Sequence, residues 1–154
     1  RAKIGHWHCS FEFCRDWLIT HEVSFRKIVP IDMLPEDQDT LNTYTEGKAL
    51  LHHACINGWK KIIVCAPYFH QIRASSTFIS LLDRQTPELW IFNLAGHPEW
   101  MGSFKHSQGV VEGDLFELLI SEFGRLFQYH NKGDIRSCRE LLAYYDRRDR
   151  EFLS

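Results

Sequence analysis

A six-residue apolar run at positions 61–66 (KIIVCA) constrains this chain more than any other feature. It stands between Lys60 and Pro67 and is flanked on each side by a segment of helical periodicity. So short a run, apolar at successive positions, suits a strand buried on both faces. A strand set between two helices implies a crossover connection and a parallel sheet. The flanks agree with this. Residues 43–57 place Leu50, Leu51, Ala54 and Cys55 on one side, and Gly58 follows as a residue free to adopt the left-handed conformation that ends helices. Residues 70–84 repeat the pattern with Ile72, Phe78, Ile79 and Leu82.

The rest of the chain extends the alternation. Residues 10–22 read as a helix with Ser10 as N-cap. Residues 27–31 (KIVPI) read as a short strand, irregular or at an edge because Pro30 has no N–H to donate. Residues 88–94 (ELWIFNL) give a further strand, and residues 34–42 and 95–109 give loops. Residues 113–131 form a long, strongly apolar helix closed by Gly133. Asp134 then caps a last helix to about residue 146, with Ile135, Cys138, Leu141, Leu142 and Tyr145 facing inward. The expected class is α/β: a three-layer Rossmann-like domain with a mostly parallel sheet and helices on both faces. Three strands leave such a sheet thin, with both edges open. The 154 residues are therefore read as a single domain, 1–154, whose further strands lie either within residues 1–9 or N-terminal to this sequence.

Charge and cysteine usage narrow the function classes. The formal net charge is −2, and no run of Lys or Arg exceeds two residues, so the basic stripe that neutralises phosphate backbones is missing. This argues against a nucleic-acid partner. No apolar stretch has the length of a bilayer span. The five cysteines are odd in number and contain no CxxC pair, which fits reduced, mostly buried thiols in a cytoplasmic domain. His6, His8, Cys9 and Cys14 have zinc-ligand chemistry at a spacing that matches no common zinc pattern, so no metal site is expected. Glu117 and Glu122, within the apolar helix, are read as a solvated face.

In parallel α/β sheets, ligands sit beyond the carboxyl ends of the strands. After KIIVCA a short turn containing Tyr68 leads into a helix that opens with His70 and Arg73 in its first turn. Residues three apart share a helical face. An imidazole and a guanidinium at a helix start suit an anion such as phosphate or carboxylate. The plainer reading is a part-exposed histidine and an arginine paired with a nearby carboxylate. Upstream, Thr43 and Glu46 have capping-box spacing, with Asn42 as an alternative cap. A polar-ligand role for Asn42 and Thr43 is compatible with capping. The loop after the third strand adds His97 and Glu99 as possible acid–base groups, with Trp100 beside them.

These segments carry a resemblance. DTLNTYTEGKAL, then a strand, then YFHQIRA, is similar to the bacterial family typified by YdcF, SanA and ElyC. Asn42, Thr43 and Glu46 match that family's first motif, and His70, Arg73 and Ala74 match its second. Phe69 stands where Tyr is usual, Ala66 and Pro67 replace a Thr-Ser pair, and Gly47 replaces Ala. The family's two glycine-rich N-terminal turns have no counterpart. The resemblance spans roughly residues 12–130 and rests on short motifs. It implies a Rossmann-like domain with a ligand site at Asn42, Thr43, Glu46, His70 and Arg73, and Tyr68 beside them is read as a further ligand-facing residue. It further implies a link to cell-envelope metabolism and S-adenosylmethionine as a candidate cofactor. It implies no particular reaction.

The reading that emerges is a small-molecule-binding domain for an anionic or nucleotide-like ligand. Two alternatives stand beside it. One is a phosphate-ester or nucleotide-sugar hydrolase or transferase that uses His70 or His97. The other is a non-catalytic interaction module built on Trp7, Trp17, Tyr144 and Phe152. A homo-oligomer is compatible with each.

Overall fold

The computed structural model describes residues 11–40, 42–82, 89–96, 103–105 and 112–153. At its centre, β1 (Lys61–Ala66) pairs in parallel with β2 (Trp90–Ala95), with Lys61 opposite Trp90 and Ala66 opposite Ala95. The helix between them, α3 (Tyr68–Leu81), is the crossover that parallel neighbours require. Before the sheet come α1 (Phe11–Thr20) and α2 (Thr43–Ile56); after it come α4 (Leu115–Lys132) and α5 (Cys138–Leu153). Two short antiparallel strands, β3 (Phe104–Lys105) and β4 (Glu112–Gly113), precede α4. The chain is thus α/β, with a small parallel sheet.

One face of the sheet forms the core. Ile62, Val64 and Ile91 pack against Ala74, Phe78 and Ile79 of α3, with Leu51 and Ala54 of α2 and Tyr144 of α5 closing the cluster. A second cluster joins Phe69 of α3 to Leu115 and Leu118 of α4. The opposite sheet face is different: Ile63 and Leu94 are exposed, as is Cys65. KIIVCA is therefore a half-buried strand, and the expectation of burial on both faces does not hold. The thiols differ from expectation as well, since Cys14, Cys55, Cys65 and Cys138 are all exposed.

Helix α5 does for β2 what another strand would do. The outward N–H of Ile91 donates to the Tyr144 hydroxyl at 2.6 Å, and the Ile91 carbonyl accepts from Arg148 Nη1 at 3.1 Å. The last turns of α5 then reach the second face, where Phe152 meets the rings of Trp90 and Phe92. Tyr144 is therefore a core residue rather than an interaction-surface residue, and Phe152 packs within the chain.

No strand forms at 27–31. Phe25–Lys27 is a single 3-10 turn, Ile28 after it is extended, and the segment pairs with no strand among the described residues. Pro30 cannot donate to a ladder, and here that tips the segment out of the sheet. Two helix starts also differ from the sequence reading. Helix α3 begins at Tyr68, two residues early, because Pro67 has the backbone geometry of a helix entry and its carbonyl accepts from the N–H groups of His70 and Gln71. Helix α5 begins at Cys138 rather than after Asp134: Ser137 and Glu140 bond each other's backbone N–H and so define the start. The helix ends at Gly58 (φ +64°) and Gly133 (φ +86°) take the left-handed conformation expected of them.

Candidate functional site at the start of α3

Three helices converge beyond the carboxyl end of β1. Helix α2 contributes Thr43 from its first turn, α3 contributes His70 and Arg73, and α4 contributes Glu122. Gly47 lies where α2 packs on α3: a Cβ there would lie 2.6 Å from Leu81 Cδ1, the end of a side chain.

Glu122 organises the cluster. Its residue is 2% exposed, and Arg73 is 5% exposed. Arg73 Nε donates to Glu122 Oε2 at 2.6 Å, and Arg73 Nη2 reaches Oε1 at 3.4 Å. His70 Nδ1 lies 2.9 Å from Glu122 Oε2. It also lies 3.1 Å from Arg73 Nη2. An arginine only donates and a carboxylate only accepts, so Nδ1 cannot serve both. The shorter, charge-assisted contact assigns Nδ1–H as donor to Glu122. That tautomer leaves Nε2 as an acceptor, facing Thr43 Oγ1 at 3.5 Å. Arg73 Nη1 completes the circuit at 3.4 Å from the same hydroxyl. The Tyr129 ring lies under the guanidinium, 5.5 Å from it, and Arg125 Nη1 sits 3.6 Å from Glu122 Oε1.

The result is a carboxylate–imidazole–hydroxyl chain with an arginine behind it. A buried charge is tolerated when it is paired and hydrogen-bonded, which Arg73 and Glu122 achieve for each other. Arg73 is thus a positioning residue, engaged with Glu122 as the plainer sequence reading had it. The members of the chain nearest the surface are His70, whose side chain is 16% exposed, and the part-buried Thr43.

The structure brings together Asn42, Thr43, His70 and Arg73 from the ligand-facing set. Asn42, rather than Thr43, is the N-cap of α2: its Oδ1 accepts from the N–H of Tyr44 at 2.9 Å and of Thr45 at 3.0 Å. Thr45 returns the bond to Asn42 N, so the capping box runs from 42 to 45 and Glu46 is not part of it. Glu46 faces solvent. Tyr68 sits at the helix entry, more than a third exposed. The residue sequence reasoning missed is Glu122, which faces inward; Glu117 is the exposed one, bonded to Asp114 N at the start of α4. His6, His8, Cys9, His97, Glu99 and Trp100 lie outside the described residues.

The other flank of α3 borders a cavity of about 800 Å³ between α3, α4 and α5. Its wall includes Ile72, Phe123, Phe127 and Leu142, together with the hydrogen-bond chain from Gln71 to Asn93 to Tyr145. Gln71 also ties the end of β1 to α3, accepting from Ala66 N and donating to the Val64 carbonyl. Among the described residues, no helix is long and apolar enough to cross a membrane.

No protein-family model matches the chain, and neither a curated protein nor a solved structure matches it.

Proposed function

We propose that this chain is a small-molecule-binding, Rossmann-like domain of the YdcF/SanA type, taking an anionic or nucleotide-like ligand beside His70 and Thr43. The observation that carries this reading is the buried Glu122 carboxylate, which holds the Nδ1 side of His70 and leaves Nε2 directed at Thr43 Oγ1. Both groups stand over the first turn of α2, where the positive end of the helix dipole favours negative charge by roughly 0.3–1 kcal/mol. Arg73 holds the Glu122 carboxylate, which in turn orients the imidazole. The location beyond the end of β1 is where parallel α/β sheets receive ligands. Inorganic phosphate, a nucleoside monophosphate and S-adenosylmethionine form a suitable probe set. At a ligand concentration of about 100 times Kd, binding stabilises the fold by roughly 2.7 kcal/mol, a shift that thermal unfolding reads easily. At least one probe is expected to raise the Tm of the wild type and to leave His70→Ala unmoved. Equal shifts in both proteins, or no shift with any probe, would remove the reading.

The same chain of groups favours a second reading, a hydrolase or transferase acting on phosphate esters. A carboxylate holding one nitrogen of an imidazole while the other faces a hydroxyl is the arrangement of an acid–base pair with its orienting group. His70 would take a proton from the Thr43 hydroxyl or from a water in its place. Turnover of p-nitrophenyl phosphate that falls at least about 100-fold in His70→Ala is the expected signature of this chemistry. Turnover indifferent to that change excludes the enzyme reading and leaves binding intact.

A further inference from the structure

Helix α4 is apolar on two opposite sides. Its inner side buries Leu115 and Leu118 and sets Glu122 on Arg73. Its outer side carries Phe116, Ile120, Phe123 and Phe127, which are 68%, 58%, 49% and 71% exposed. These four recur at intervals of four, three and four residues, the spacing of the seam that paired helices present to each other. A polar stripe through Glu117, Ser121, Arg125 and Gln128 runs along the helix, and the outer apolar seam is open to solvent. Gly124 stands beside it. Among the described residues, no neighbouring atom lies within 4 Å of where its Cβ would be, so no contact there calls for a glycine. Glycine is a poor choice inside a helix, and what it offers in return is close approach by another backbone.

From this we infer that α4 pairs antiparallel with α4 of a second copy of the chain, about a two-fold axis between Ile120 and Phe123. Three observations select this occupant. First, the seam is self-complementary about that point. Reversing it sets Phe116 against Phe127 of the second copy and Ile120 against Phe123 of the second copy, as an isologous contact requires. Second, charge agrees with the antiparallel sense. Asp114 caps α4 and Glu117 stands in its first turn, and its last turn carries His130 and Lys132. Reversal lays acid against base, whereas a parallel pair would set like against like. Third, the area is of the order required, with about 1,000 Å² across the two copies at the lower bound for a specific interface. At about 150–250 Å² per aromatic side chain, the four residues expose on the order of 500 Å² per copy. That is more than half of the roughly 800 Å² per partner in a stable interface. The pairing also covers the side of the α3–α4–α5 cavity formed by Phe123 and Phe127.

Sedimentation velocity on the full chain tests this. The wild type at tens of micromolar is expected to sediment at twice the 18.2 kDa monomer mass. Ile120→Asp/Phe123→Asp is expected to raise the dissociation constant at least about 100-fold with helical circular dichroism unchanged. Phe116→Asp alone should weaken the dimer, and adding Phe127→Lys should restore it, because only the antiparallel register brings those positions together. Gly124→Leu reads the same seam without touching a buried residue and should also weaken self-association. A wild type that remains monomeric throughout overturns the inference. So does a dimer indifferent to Ile120→Asp/Phe123→Asp or to Gly124→Leu, and a failure of Phe127→Lys to rescue Phe116→Asp overturns the antiparallel register.

Discussion

Glu122→Leu is the most informative single change in this molecule. The side chains of Arg73 and Glu122 are 6% and 3% exposed and meet at 2.6 Å. Removing the carboxylate strips Arg73 of its counter-charge in a site that water barely reaches. Breaking one side of a buried pair costs about 3–5 kcal/mol, a large share of the roughly 5–15 kcal/mol that holds a typical domain folded. The effect of the second change is then diagnostic. Arg73→Met leaves an unbranched side chain to lie against the Tyr129 ring, which now stacks under the guanidinium. With both charges gone, no ion is left stranded, and replacing a buried pair by apolar groups is often neutral or stabilising by about 1–4 kcal/mol. The double variant Arg73→Met/Glu122→Leu should therefore be at least about 2 kcal/mol more stable than Glu122→Leu alone. Urea unfolding followed by circular dichroism, with linear extrapolation to water, measures all four corners of the cycle. Additivity within about 0.5 kcal/mol would show that the two side chains do not depend on each other, and the construction of the site around Glu122 would fall with it.

Two further predictions follow from backbone groups. Tyr144→Phe deletes the oxygen that accepts from the N–H of fully buried Ile91, and the orphaned donor should cost about 1–3 kcal/mol in a urea titration. Burial pushes the Tyr144 phenol above its ordinary range, so the fold favours the neutral form. Its contribution is complete below the unfolded tyrosine value near pH 10 and is lost as pH rises through the higher folded value; an alkaline unfolding curve unchanged by Tyr144→Phe would refute this. Asn42→Ala removes the acceptor for two N–H groups at the start of α2 and should cost about 0.5–2 kcal/mol; an unchanged urea midpoint would show that Asn42 is not the cap.

Much of this arrangement was legible in the residues. KIIVCA announced a strand by its length and its bounding Pro67, and the helices around it announced themselves by periodicity. The three-apart spacing of His70 and Arg73 placed them on one face, and the structure brings them within 3.1 Å of each other. Glu122 was not legible. Helix α4 is apolar on two sides, so its pattern does not say which face is buried, and a carboxylate among phenylalanines reads as solvated until Arg73 arrives from a helix 49 residues earlier in the chain. The same long-range dependence explains β1. Periodicity saw a continuous apolar run, but whether its second face is covered depends on what packs there, which local sequence does not encode. Asn42 outcompeted Thr43 as the cap because its carbonyl reaches two N–H groups at once, a difference that spacing rules do not resolve.

The manner in which α5 attends β2 has a consequence for how this sheet can grow. A strand normally finishes its hydrogen bonds on another strand, and that habit makes sheet borders templates for further addition. Here a phenol and a guanidinium terminate the series at Ile91, so no incoming strand can register there unless the helix is first displaced. On the far side, at β1, Lys61 puts a charge at the entrance, and Ile63 and Cys65 are exposed. Among the described residues the two borders thus differ in kind: one is capped at Ile91 by side-chain chemistry, and the other carries a lysine at its entrance.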